Sequence, residues 1–185
     1  MIARLVIALA AGLVGAGIVH IVGVLSVPAI AGGGAVERVA ALGAPGAFRP
    51  VPTNDPFARA VACLVPGDGP RRVIATGGGA LGFWSATVFA PGGEAVYSLN
   101  DRTAIDEAFD LILAAPDDVA RLRGELDETA PELVAVPAPR GRIAEGAGAP
   151  VAALVVLRTH VTDPTLGAEA DAFLASATCE PLEVG

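Results

Sequence analysis

The chain has 185 residues and a formal net charge of −8, with 20 acidic residues against 12 basic ones. All twelve basic residues are arginine, so no lysine is available for Schiff-base chemistry or for a phosphate-binding loop. Every acidic residue lies after residue 36. So acidic a segment lacks the clustered positive charge on which binding to nucleic acid or an anionic lipid surface depends.

From Leu5 to Ile30 the sequence carries no formal charge, and His20 is its one ionisable side chain. Such a run exceeds the roughly 20 apolar residues needed to cross a hydrocarbon core, and it predicts a transmembrane anchor over residues 1–30. Arg4 stands before the run, whereas Glu37 and Arg38 follow well after it. The positive-inside rule then leaves the N-terminus in the cytoplasm and the rest of the chain outside. A cleaved signal peptide is the alternative, because Ala29-Ile30-Ala31 offers a small-x-small site after Pro28. Its apolar core is nevertheless longer than the roughly 7 to 15 residues of such peptides. Within the anchor, Ala8, Gly12, Ala16 and His20 recur at i, i+4 spacing, with Ala11, Gly15 and Gly23 on an adjoining ridge. Small residues on one helix face let a second helix approach closely, and an ionisable group within a span marks a functional candidate.

Residues 31–57 read as a linker: a glycine joint at 32–34, two turns of amphipathic helix over 35–42, then a proline-containing loop. The following segment, 58–185, is of single-domain size. Ala58 to Val65 and Arg71 to Ala75 predict two strands joined as a hairpin by Pro66-Gly-Asp-Gly-Pro70. Phe83 to Asn100 predicts a second hairpin, turned at Pro91-Gly92-Gly93 and placed centrally in the sheet. Ala108 to Ala114 continues as a strand, and Pro116-Asp117-Asp118 opens a helix ending near Gly124, its acidic residues matched to the N-terminal dipole. Leu133 to Val136 and Ala152 to Thr159 predict further strands, separated by a Gly- and Pro-rich loop over 137–150. Asp163-Pro164 starts a C-terminal helix with Leu166, Ala170, Phe173, Leu174 and Ala177 at helical spacing. The expected fold class is α+β: an N-terminal transmembrane helix followed by a small antiparallel-sheet domain with two or three helices.

Cys63 and Cys179 are the only cysteines, and an even count in an exported domain favours a disulfide closing a loop of about 116 residues. With His160 the one histidine outside the anchor, a histidine-rich metal site is excluded, and no metal or cofactor is expected. Ser85 and Ser98 lack a nucleophile-elbow context, and Gly77-Gly78-Gly79 lacks the Lys-Ser/Thr of a phosphate loop. The Asn100-Asp101-Arg102-Thr103 group admits two readings. Its side chains cap a turn and pair locally, or Arg102 is the charged contact of a polar-ligand pocket walled by Trp84 and Tyr97 and completed by His160, Arg158 and Asp163.

Four stretches carry a family likeness: GLVGAGIVHIVGVLSVP in the anchor, DPFARAVACLV around Cys63, FWSATVFAPGGEAVYSLNDRTA, and AFLASATCE around Cys179. On these the chain resembles a bacterial family of exported and membrane-anchored proteins known only as domain of unknown function 1254. The resemblance implies a bacterial inner-membrane anchor with a periplasmic domain, and it makes the two cysteines and the Asn-Asp-Arg-Thr turn part of the family pattern. It also implies that a second domain found in larger relatives would be supplied by a separate chain. The leading functional expectation is a non-catalytic anchored module that assembles with another envelope protein. A periplasmic ligand-binding or enzymatic domain, with its pocket near the Phe83–Thr103 hairpin, is the alternative.

Overall fold

A computed structural model describes residues 2–31, 34–104, 108–126, 131–137 and 151–182. The chain divides into two units, residues 1–35 and 36–185. The first is α1 (Ile2–Ala31), within which Ile2–Val27 is long and apolar enough to cross a membrane, with a mean hydropathy of 2.5. Twenty-six residues at about 1.5 Å each exceed the roughly 30 Å of a hydrocarbon core. The Ser26 hydroxyl donates to the carbonyls of Val22 (2.6 Å) and Gly23 (3.0 Å), so its polar group is satisfied within the helix.

The boundary falls within α2 (Gly34–Ala40), and the second unit is built on two sheets. One holds β1 (Arg49–Val51), β2 (Ala58–Pro66), β8 (Val151–His160), β4 (Trp84–Phe89) and β5 (Ala95–Asn100), in that spatial order and wholly antiparallel. The other holds β7 (Glu132–Ala135), β6 (Phe109–Ala114), β3 (Arg71–Ala75) and β9 (Thr178–Pro181). In it β7 runs parallel to β6, across α3 (Pro116–Glu125), and the remaining pairs are antiparallel. Parallel neighbours need a crossover, which α3 supplies.

Strand alternation directs one face of each sheet into a shared core. Cys63, Val65, Trp84, Val88, Val155 and Leu157 from the first sheet meet Val73, Phe109, Leu111, Leu113 and Cys179 from the second. Helix α4 (Gly167–Ala175) adds Ala170, Phe173 and Leu174 to this core. A turn at Pro164–Leu166 precedes it, where Asp163 Oδ1 accepts from the Thr165 amide (2.9 Å) and hydroxyl (2.8 Å), as an N-cap does. Helix α3 covers part of the second sheet's outer face, packing Val119 and Leu122 on Ile112 and Ala114.

Three sequence expectations change. The strands β2 and β3 do not form a hairpin; they lie in different sheets, because both edges of β2 are taken by β1 and β8. The β4–β5 hairpin forms as expected, yet β8 is the central strand and β5 an edge, which explains the half-exposed residues of β5. The segment 31–57 is more than a linker: Val39 is buried, Phe48 packs on the core and β1 pairs with β2, so the compact unit starts at Val36 rather than residue 58. Nearly all of the expected 137–150 loop falls outside the described residues.

Candidate functional site

Register across β5, β4 and β8 decides which candidate side chains can meet. Asn100 faces Ser85, and Ser85 faces Arg158, so these three share a rung on the outer face of the first sheet. The Arg158 Nε donates to Ser85 Oγ at 2.9 Å. One rung along, the hydroxyls of Thr87 and Ser98 lie 3.3 Å apart. The adjacency of the Arg158 strand to the hairpin, on which the expected pocket depended, is therefore present.

The Asn-Asp-Arg-Thr group folds as a side-chain-closed turn. Asn100 Oδ1 accepts from the amides of Arg102 (3.0 Å) and Thr103 (3.2 Å) and from the Thr103 hydroxyl (3.2 Å). An Asx turn of this kind follows from the short amide side chain, which substitutes for a backbone acceptor. Arg102 is exposed, and among the described residues it has no carboxylate partner.

Trp84 and Tyr97 belong to the opposite, inner face. The Trp84 side chain is fully buried against Phe173, ring centroids 5.5 Å apart, and among the described residues its indole N–H has no hydrogen-bond acceptor. Tyr97 donates its hydroxyl to Glu132 of β7, and desolvation, reinforced by that carboxylate, pushes the phenol up to about 12. The two aromatics are therefore core and inter-sheet residues rather than walls around Arg102 and His160. The expected combined pocket is not assembled, because residues adjacent along a strand face opposite sides of the sheet.

His160 points outward two residues beyond Arg158, with Nε2 3.0 Å from Asp55 Oδ2 and its ring 6.2 Å from Phe57. The Phe57 amide and then His160 hold the Asp55 carboxyl below its ordinary value. Phe57 and Phe83, 53% and 38% exposed, flank this end of the sheet, the Phe83 carbonyl accepting from the His160 amide. Neither phenylalanine was singled out by sequence reasoning, which had no means of distinguishing exposed from buried aromatics at strand ends.

Cys63 of β2 and Cys179 of β9 face one another across the core, 0% and 2% exposed, and both are free thiols in this structure. Hydrogen bonding with Cys179, followed by burial, pushes the Cys63 thiol far up. A groove of ≈ 430 Å³ between the β1–β2 edge and α4 is lined mainly by apolar residues, including Phe48, Val51 and Leu174. At the groove, Arg59 is tied to Asp171 (2.5 Å) and to the Gly167 carbonyl (2.7 Å). Among the described residues, no three His, Cys, Asp or Glu side chains are grouped to hold a metal ion. In α1, Ala8, Gly12, Ala16 and His20 are all exposed, each displaced about 40° around the axis from the last.

No family model matches the sequence, and no curated protein matches it. The fold is similar to that of the VPA0106 protein from Vibrio parahaemolyticus, with a TM-score of 0.51 at 14% identity over 85% of this chain and 38% of that one. An uncharacterized protein from Burkholderia cenocepacia aligns with a TM-score of 0.42 at 13% identity, over 81% of this chain and 41% of its own. The chain thus spans less than half the length of either protein. The first comparison supports the α+β architecture.

Proposed function

We propose that this is a single-pass envelope protein of the kind its sequence resembles, domain of unknown function 1254. Its N-terminus is cytoplasmic, and its domain is a periplasmic, non-catalytic module that assembles with another envelope protein. The observation that carries this reading is α1. It is a 30-residue helix, uncharged from Leu5 onward, with small residues at Ala8, Gly12 and Ala16 and an ionisable His20 on the same winding ridge. In the domain, Ser85 Oγ accepts from Arg158 and His160 lies against Asp55, and among the described residues no hydrogen bond joins Ser85 to His160 as a nucleophile to its base.

An exported, oxidising location would let the facing cysteines pair. Two thiols on opposite sheets, 116 positions apart in sequence, suit a disulfide that ties β9 to β2 across the core. We include that bond in the proposal. The test is co-purification in a mild detergent, followed by crosslinking and native mass measurement. A stoichiometric second membrane protein that is lost in Gly12→Leu supports the reading. A protein that remains monomeric in both wild type and Gly12→Leu eliminates helix-mediated assembly.

A further inference from the structure

We propose that the outer face of the β8–β4–β5 sheet binds a small, hydroxyl-rich carboxylate of the sugar-acid class, with Arg158 as the charged contact. This goes beyond the assembly role and does not depend on it. Arg59, Arg71, Arg72 and Arg121 each face a carboxylate within 4 Å. Arg158 has none among the described residues, and neither do Arg38, Arg49, Arg102 and Arg123; of these five, Arg158 is the one whose guanidinium is held by a side chain, the neutral Ser85 hydroxyl.

That contact uses Nε and leaves the two terminal nitrogens for a ligand. Ser85 is only 7% exposed, so the anchoring hydroxyl is fixed in the sheet and orients the guanidinium rather than competing for it. An oriented fork of two parallel N–H donors matches a carboxylate better than a point charge does. On the same rung, Asn100 spends Oδ1 on its own turn, and among the described residues its Nδ2 has no hydrogen-bond acceptor. The Thr87 and Ser98 hydroxyls one rung away bond each other (3.3 Å), with Ser98 Oγ also donating to the Ala86 carbonyl (3.4 Å), which leaves their oxygen lone pairs as acceptors for the hydroxyl groups of a polyhydroxylated ligand. Phe83, 38% exposed at the sheet end, offers an apolar surface for the C–H face of a sugar ring.

The experiment titrates sodium glucuronate into the full-length protein in a polyoxyethylene detergent, which carries no sugar headgroup, and follows binding by calorimetry at low and high salt. Glucose and inorganic phosphate are titrated in parallel. Saturable, salt-weakened binding of glucuronate, with glucose and phosphate at least about tenfold weaker, is expected. Arg158→Gln should lower the glucuronate affinity by about tenfold or more, and Arg158→Lys should not restore it, because ammonium lacks the fork. Arg121→Gln, on α3, should leave the affinity unchanged, and an unaltered thermal melt of Arg158→Gln confirms that its fold is intact. No saturable glucuronate binding, or an affinity insensitive to Arg158→Gln, would overturn the site. Equal binding of phosphate would overturn its assignment to a sugar acid.

Discussion

Gly78 lies against the indole of Trp84 so closely that a Cβ on residue 78 would stand 2.5 Å from Nε1 and 2.9 Å from Cδ1. The glycine run that links β3 to β4 is thus a packing device: it lets backbone close over the largest side chain of the core. Trp84 cannot yield, since Phe173 of α4 lies on it as well. Gly78→Ala should therefore destabilise the domain by about 1 to 3 kcal/mol, the usual scale for overpacking. Gly82→Ala, where a Cβ meets nothing within 4 Å, is the matched control and should fall within about 0.5 kcal/mol of wild type. Chemical denaturation of the three proteins checks both values.

The bond proposed between Cys63 and Cys179 should shift stability in one direction. Constraining so long a loop limits the unfolded chain, and the chain-entropy model gives at most roughly 4 to 5 kcal/mol. Denaturation midpoints with and without reductant measure the difference, and Cys179→Ala should abolish it. An unchanged midpoint on reduction of the wild type would rule out the closed loop.

Alkaline pH should unfold the reduced domain earlier than a protein without these contacts. In the fold Tyr97 is raised to about 12 from an ordinary value near 10, so the unfolded chain releases its proton first. The associated stability is whole below about pH 10 and declines as pH rises through about 12. Cys63 is raised in the same sense and adds a decline that begins above the ordinary thiol range. Stability against pH for wild type and Tyr97→Phe separates the two, since the variant should keep only the thiol-dependent part.

Gly12→Leu and Gly15→Leu should leave domain stability untouched, because a Cβ at either position meets nothing within 4 Å along α1. Their effect should fall on co-purification of a partner, measured as its yield per mole of bait. A variant that loses domain stability along with the partner would point to misfolding rather than to a helix contact.

What sequence could and could not disclose divides along local and non-local signals. The β4–β5 hairpin was legible because its turn is written locally in Pro91-Gly92-Gly93, with Gly93 at φ 88°, and its strands alternate. The same kind of turn text between β2 and β3 marks a crossing from one sheet to the other, and nothing local distinguishes the two outcomes. The strands β1 and β9, with three and four residues and a proline each, are too short for periodicity to register, and they exist through pairing with β2 and β3. In the site, Asn100, Ser85 and Arg158 fell together because of register, which sequence does not contain. The joining of Tyr97 and Asn100 in one pocket could have been avoided: they stand three apart in one strand, so they must face opposite sides.

The central claim, an anchored and exported domain closed by one disulfide, is tested most directly by intact mass. Full-length protein purified from membranes is denatured and alkylated, with and without prior reduction. A mass retaining the N-terminal helix, with Cys63 and Cys179 alkylated only after reduction, is the expected result. A mass beginning near Gly32, or two thiols alkylated without reduction, would contradict it.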